Sequence, residues 1–523
     1  IIIPVHNGSP AVHGRIRDFT LLRPCGGHIC FLRSSITCRA LELGGTVILV
    51  YRCPDLYRIP IHMVGNRILY RCDQPETAVK NWKIILKHFT AEYMLSYLAG
   101  IVILDGVFQH NVITNLKRFV ADIELKEHKL PKVKTRAEKS GKKVGIIGGG
   151  PAGLTAAFHL ARMGHEPTVF EAAEEAGGML MWGIPEYRLP KAVLREEIKA
   201  IEDLGVTIRT NTRVGRDISF EDIRRSFDAV FIATGADKSW KLEIPGEDLE
   251  GVYDSIKFLA DVQRGKKFDL GENVAVVGGG NAAIDAARTA LRLGAKNVTI
   301  VYRRLRDEMP ADPHEIAEAE REGISIRFLA APIEVVGENG RAKALRCQLM
   351  ELAEFDKSGR RKPKAVEGVV IDIPADSVIS AISQEPDLDF LCSDAEVELN
   401  RGRVWTDRQT GQTSAEGIYA GGDVVTGPAT VIEAIGAGIK AAQWIDRYFG
   451  GSGEIPSDIE DIVIPPAPED VDDIVETPRA KTPVIDVEAR NCFAEVELAF
   501  DRDTAVKEAN RCLRCDAGAG ESR

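Results

Sequence analysis

Lys143–Glu171, KVGIIGGGPAGLTAAFHLARMGHEPTVFE, is the stretch whose reading decides the fold. Val144 to Ile147 is a short apolar run of the kind that forms a buried parallel strand. Gly148-Gly149-Gly150-Pro151-Ala152-Gly153 then matches G-x-G-x-x-G, an amphipathic helix follows from about Ala152 to Met163, and a second strand, Pro167 to Phe170, ends on Glu171. Gly148 supplies the tight turn, Gly150 admits a pyrophosphate close to the backbone, and Gly153 lets helix and strand pack closely. The helix N-terminus offers partial positive charge to the phosphates. Glu171 lies eighteen residues beyond Gly153, where a carboxylate can accept hydrogen bonds from a ribose.

A second copy of this plan starts at Val274. Val274 to Val277 reads as a strand, Gly278-Gly279-Gly280-Asn281-Ala282-Ala283 as G-x-G-x-x-A, and a helix runs to about Leu293. The next strand, Val298 to Tyr302, ends in Arg303-Arg304 with no acid there. A carboxylate at that end favours a free ribose hydroxyl, whereas guanidinium groups favour a 2′-phosphate. The second unit is therefore expected to take NADP(H) rather than NAD. The competing reading of Arg303-Arg304 is a solvated basic pair.

Between and after these units the chain returns to the first. Asp228 to Gly235 reads as a closing strand, and Ala375 to Ile382 as another. Gly417 to Asp423 is a strand ending in Gly-Asp, followed by a helix from Thr430 to about Ile445. Asp423 can hold a sugar-alcohol chain, and the helix start at Thr430 and Val431 can direct its dipole at an anion developing on a ring. Gly177-Gly178-Met179 and the bulky apolar residues after it make a turn against which a flat ring can lie.

At 523 residues the chain requires two to four domains. Its net charge of −11 argues against nucleic-acid partners. No run of 18 apolar residues suggests a membrane span, and the expected location is cytoplasmic. The first residue is Ile1 rather than Met, which suggests an incomplete or processed N-terminus. The expected fold class is α/β: two nested Rossmann-like dinucleotide-binding domains, the second for NADP, with a mainly helical N-terminal domain and an extended C-terminal tail. The expected boundaries are 1–125 for an N-terminal helical domain that could carry iron–sulfur clusters, and 126–143 for a linker. Residues 144–270 and 376–450 form the first dinucleotide domain and 271–375 the NADP domain. A Pro-rich acidic tether covers 451–490, and a C-x-x-C segment 491–523. Within the N-terminal part, 77–97 could be helical, and Ile113 to Leu125 places Ile113, Leu116, Phe119, Val120 and Ile123 on one helix face.

Residues from about 113 to 450 resemble the small subunit of NADPH-dependent glutamate synthase and its relatives. These relatives include the flavin domain of dihydropyrimidine dehydrogenase and the large subunit of the electron-bifurcating ferredoxin:NADP transhydrogenase. The resemblance is carried by GGGPAGL at 148–154, GGMLMWGIPEYRLP at 177–190, ATG at 233–235, GGGNAAID at 278–285, YRR at 302–304 and GGDVVTGPATVIEAIGAG at 421–438. It implies FAD at Gly148, Gly150, Pro151, Ala152, Gly153, Glu171, Gly178, Met179, Arg188, Val214, Gly235, Gly422, Asp423, Thr430 and Val431. It implies NADP(H) at Gly278, Gly280, Asn281, Ala282, Ala283, Arg303, Arg304 and near Ala381-Ile382-Ser383. Ser383 departs from the Ala-Ile-Gly usual in the family and puts a side chain where backbone approaches the nicotinamide.

The resemblance also implies [4Fe-4S] clusters in the N-terminal domain, but the tightly spaced cysteines they require are missing. Cys53-Pro54 matches the end of one cluster motif, and the EANRCLRC phrase, found near the N-terminus in relatives, stands here at 508–515. Cys53, Cys512 and Cys515 are therefore the candidate iron–sulfur ligands, serving this chain or a neighbour's cluster. The function expected is a flavoprotein oxidoreductase moving electrons between NADPH and FAD, then to clusters or a partner redox subunit. No catalytic side chain is required, since the cofactors carry the chemistry. One alternative is a mainly structural subunit of a redox complex without its own NADPH turnover. A disulfide reductase is disfavoured, because Cys347 and Cys392 are the only cysteines between 144 and 450 and cannot form a C-x-x-C pair.

Overall fold

The computed structural model describes residues 20–25, 28–33, 37–43, 46–52, 113–127, 135–136, 138–355, 361–391, 396–456 and 478–510. Two five-stranded parallel sheets dominate it. The first has the order Ile418–Ala420, Ala229–Ile232, Lys143–Ile147, Glu166–Phe170, Thr207–Arg209. The second has the order Val252–Asp254, Ser377–Ser380, Asn273–Val277, Asn297–Tyr302, Ser325–Phe328. The first sheet receives its edge strand, 418–420, only after the whole second sheet has been built, so the second unit is nested inside the first.

Central strands buried on both faces need continuous apolar runs rather than alternation. Val144, Ile146 and Ile147, all four residues of 229–232, and Val274–Val277 are buried accordingly. The helices after the two fingerprints, Pro151–Arg162 and Asn281–Arg292, also end alike. Gly164 and Gly294 take positive φ, and the amides of His165 and Ala295 reach back to the carbonyls of Leu160 and Ala290. Glycine there closes the last turn without a Cβ penalty.

Three expectations need correction. The run 375–382 does not return to the first unit. Ser377–Ser380 lies inside the second sheet, paired in parallel with 274–277 on one side and 252–254 on the other. The second unit thus begins near Val252, before the expected boundary at 271, and extends past 376. Closing strands of both units are similar apolar runs ending in a small-residue turn, so the pattern alone does not assign the sheet.

The described part of 1–125 is less helical than expected. It contains the helix Ile113–Lys126 and two antiparallel hairpins, Thr20–Cys25 with His28–Arg33 and Thr37–Leu43 with Thr46–Arg52. The β-branched content of TVILVYR at 46–52 favours strand over helix. The proposed helix at 77–97 lies outside the described residues, as do Cys53, Cys512 and Cys515.

The expected tether is packed at both described ends. Gly453 N–H donates to Asp446, and the Arg162 guanidinium to the Pro456 carbonyl. Residues 478–510 form a strap across the molecule. Arg490 pairs with the buried Glu318 and Glu322, Arg292 donates to the Cys492 carbonyl, and Val496 N–H donates to the Tyr187 carbonyl. The strap ends in the helix Arg502–Asn510, where Phe500 and Ala505 pack on Leu116, Phe119 and Val120.

A three-stranded antiparallel sheet, Ala330–Glu338, Arg341–Phe355 and Arg361–Pro374, extends from the second unit. Its first turn is Asn339-Gly340, both at positive φ, a strong hairpin signal. The two chain crossings between the units pair with each other: Lys238–Ser239 runs antiparallel to Gln384–Glu385, and Trp240 N–H donates to the Ser383 carbonyl.

Candidate dinucleotide sites

Both glycine turns are built by the same steric demand. Gly148 and Gly278 sit at φ +104° and +149°, and a Cβ on either would collide with a carbonyl of the neighbouring strand end, Ala233 or Ala381. Gly150 and Gly280 face open space; the nearest atoms to an added Cβ lie 3.9 and 4.0 Å away. The middle of each turn is thus shaped to admit a ligand to the backbone, as a pyrophosphate site needs. Gly153 and Ala283 lie beneath the turn instead. A Cβ at 153 would strike the Gly148 carbonyl, whereas Ala283 is accommodated with no exposure.

Both turns open into one cavity of about 2050 Å³. A pocket for one drug-sized molecule is about 300–1,000 Å³, so this cavity has room for two dinucleotides. Every site residue expected from the sequence within 144–450 lines it except Gly153 and Ala283. Those two act through helix–strand packing.

Glu171 is 8% exposed. Its carboxylate accepts the amides of Gly149 at 2.8 Å and Ala173 at 2.7 Å. Burial raises its pKa, and these two amides oppose the rise. The corresponding place in the second unit follows from strand register: Ile147 pairs with Phe170, and Val277 with Val301. Tyr302 therefore stands where Glu171 stands, and its ring lies 2.5 Å from where a Cβ on Gly279 would be. The acid is replaced by an aromatic face, with the arginines one and two residues further on. Arg303 is exposed and makes no hydrogen bond or ion pair among the described residues. Arg304 is 6% exposed, and its Nε donates to the Arg361 carbonyl at 2.8 Å. The two are neither a matched pair nor a wholly solvated one.

The expected ring-facing turn lies on the first fingerprint. Gly177 N–H donates to the Gly149 carbonyl, and a Cβ on Gly178, at φ +53°, would sit 2.8 Å from the Gly150 Cα. The buried Lys191 holds this turn from below, its Nζ donating to the carbonyls of Leu180 at 2.8 Å and Ile184 at 2.6 Å. Burial lowers the Lys191 pKa to about 8. Asp423 closes the far side, its pKa raised by burial. The helix Val431–Tyr448 begins with a capping box, in which Thr430 and Glu433 exchange backbone and side-chain hydrogen bonds. The helix start is thus already partly satisfied by its own acid, while the amides of the first turn beyond Glu433's reach have no intrahelical acceptor.

Arg188 reaches across the cavity wall between the units. It donates to both oxygens of Asp285, at 2.9 and 2.8 Å, and pairs with Glu315 at 3.2 Å. Asp285 is buried, which pushes its pKa up to about 6 against the pull of Arg188. The arginine expected to face FAD is thus also a clamp between the two units. Asp285, Tyr302, Asp237 and Trp240 line the cavity and were not singled out from the sequence. The GGGNAAID and YRR motifs contain Asp285 and Tyr302, but the motifs assigned neither a role.

A model of the pyridine nucleotide-disulphide oxidoreductase family matches residues 142–438. The chain belongs to that family. Among curated relatives, the NADP(+)-dependent formate dehydrogenase subunit beta of Moorella thermoacetica is 43% identical over 449 residues, 78% of this chain and 63% of that protein. The small chain of NADPH glutamate synthase from Escherichia coli K12 is 36% identical over 367 residues, covering 67% of this chain and 77% of that one. The resemblance to glutamate synthase small subunits is thereby established at the level of family. The chain spans less than two thirds of the formate dehydrogenase subunit's length. Among solved structures, FprA of Mycobacterium tuberculosis in complex with NADPH superposes with a TM-score of 0.51 at 19% identity, covering 59% of this chain and 85% of that one. That likeness concerns the fold. In this family member, residues 142–438 contain only Cys347 and Cys392. Cys347 is buried in a strand, its thiol pushed up to about 12 by burial, and no C-x-x-C pair occurs in that range of the sequence.

Proposed function

We propose that this chain is an FAD-dependent NADPH oxidoreductase that exchanges electrons between NADPH and FAD and passes them to a partner redox subunit or to iron–sulfur clusters. The observation that carries this reading is the single cavity into which both fingerprint turns open. Residues Gly148 to Ala152, Glu171, Gly178, Met179, Arg188, Val214, Gly235, Gly422, Asp423, Thr430 and Val431 would hold FAD. Gly278 to Ala282, Arg303, Arg304 and Ala381 to Ser383 would hold NADP(H). When bound, FAD supplies two-electron chemistry with the nicotinamide and one-electron chemistry with a later acceptor. The residues of the chain supply geometry. Glu171 engages a ribose, Lys191 fixes the turn beneath the flat ring, and the apolar walls exclude water.

The relatives are named as subunits of formate dehydrogenase and as small chains of glutamate synthase, which supports a partner subunit here too. Among the described residues, no helix is long and apolar enough to cross a membrane, in keeping with a cytoplasmic location. Cys512 and Cys515 remain proposed cluster ligands with Cys53. Iron and sulfide analysis of a Cys512→Ser/Cys515→Ser variant checks them, and unchanged content would dismiss the idea.

The test of the main reading is anaerobic titration with NADPH, with NADH as control, following the flavin band near ~450 nm. Bleaching by NADPH and much less by NADH is expected. A flavin bleached by neither nucleotide would favour the subunit without its own turnover.

A further inference from the structure

The loop after the second unit's ribose-side strand is tied into a closed ring with the hairpin of Arg341–Phe355 and Arg361–Pro374. Tyr302 Oη donates to the Glu308 carbonyl at 2.7 Å, and Leu305 N–H donates to Glu308 Oε2 at 3.0 Å. Glu308 Oε1 accepts Arg361 Nε at 3.2 Å. The Arg361 carbonyl in turn accepts Arg304 Nε at 2.8 Å. The same loop is fastened back to the fingerprint: Ala311 N–H donates to the Gly279 carbonyl, and Asp312 N–H to Asn281 Oδ1. Inside this frame Arg303 alone of the two arginines is exposed at the cavity without a partner among the described residues.

We infer that Glu308 and Arg361 are positioning residues for nucleotide selection: with Arg304 they fix the loop from which Arg303 meets the 2′-phosphate. This rests on the NADPH reading above. The two arginines then divide the work, one contacting phosphate and the other anchoring the loop to the hairpin. Arg361 has a second effect. Glu308 is a carboxylate five residues beyond Arg303 in the same loop, and the guanidinium of Arg361 offsets its charge. Hairpin and loop are far apart in sequence, so the hairpin contributes to cofactor choice although it carries no nucleotide motif.

The test uses the full chain with flavin bound. Dissociation constants for NADPH and NADH, and limiting rates of flavin bleaching, are measured by anaerobic stopped flow for Arg303→Ala, Arg361→Ala, Arg361→Lys and Glu308→Gln. Arg303→Ala is expected to weaken NADPH by about 10–100-fold, the worth of a charged hydrogen bond, with NADH little changed. Arg361→Ala is expected to weaken NADPH by about tenfold and Glu308→Gln by less, since an amide keeps the shape without the charge. Neither should alter NADH affinity or the limiting rate, and Arg361→Lys should restore part of the loss. A wild-type chain without NADPH preference, or one whose preference survives Arg303→Ala, overturns the underlying reading and this inference with it. Preference lost in Arg303→Ala but intact in both Arg361→Ala and Glu308→Gln overturns the inference alone. Equal weakening of both nucleotides in the Arg361 and Glu308 variants also overturns it, by showing a merely structural role.

Discussion

The two fingerprint units are the same device, and three of the exchanges between them matter most for the comparison. Gly153 in the first becomes Ala283 in the second, Thr155 becomes Asp285, and Glu171 becomes Tyr302. The three glycines that open the turn are unchanged, and the first of them is required by a collision with a neighbouring carbonyl in both units. What the comparison teaches is a separation of duties. Backbone geometry shapes the same turn in each unit, and the two units differ at the residues at and just beyond the end of the following strand.

For the bound cofactor, the most disruptive way to break the comparison is to equalise the third position. Gly153→Ala would drive a methyl into the Gly148 carbonyl, and overpacking of this kind costs about 1–3 kcal/mol or more. Loss of most bound flavin per chain is expected by absorbance, although alanine is the native residue at 283. If the variant retains its flavin, the first unit's helix has slack that its packing does not suggest.

Next is the clamp, present on only one of the two helices. Arg188→Met leaves Asp285 buried without its cation, a loss of about 3–5 kcal/mol for a broken buried pair. A lower denaturation midpoint is expected, and Asp285→Asn should soften the effect in the double variant. The same carboxyl gives a pH signature. Its folded pKa of about 6 lies above the ordinary value of 3.8, so between these values the folded state holds the proton more tightly. This group's contribution to stability therefore falls as pH rises from about 4 to 6 and is level beyond. Its size is on the order of 1–3 kcal/mol. Urea unfolding of wild type and Asp285→Asn across pH 4–7 should show this slope only in the wild type.

Glu171→Gln sharpens the ribose-side difference. An amide at 171 can accept only one of the two backbone amides well, at a cost of about 1–2 kcal/mol, so flavin affinity should fall while NADPH affinity in the second unit is unchanged. The smallest effect is expected for Ala283→Gly, which only adds helix entropy, about 0.5–1 kcal/mol. It is read as a slight drop in melting temperature with both nucleotide affinities retained.

Much of the architecture was legible because the glycine turns, their flanking strands and the strand-end residues act locally. The nesting followed from Gly-Asp at 422–423 returning after the second unit. What escaped was non-local. The strand 377–380 has the composition of a closing strand in either sheet, and only pairing decides its place. The Arg188–Asp285 clamp joins residues 97 positions apart, and nothing in either motif announces the other. The Tyr302 replacement was visible in the letters but hidden by counting to the arginines instead of aligning strand ends. The first hairpin of the three-stranded sheet did leave a local mark, Asn339-Gly340, between its strands Ala330–Glu338 and Arg341–Phe355. The strap at 478–510 left none, since its Arg490 reads as an ordinary surface charge until it meets Glu318 and Glu322.

The paired crossings at Lys238–Ser239 and Gln384–Glu385 have a mechanical consequence. One covalent connector would behave as a swivel, free about its own axis. Two connectors laced by backbone hydrogen bonds form a flat strip, which flexes across its thin direction and resists torsion. Relative travel of the units is therefore expected to favour a page-turning motion whose spine is this strip, with Trp240 beside it and the Arg188–Asp285 contact as a separate clasp between the units.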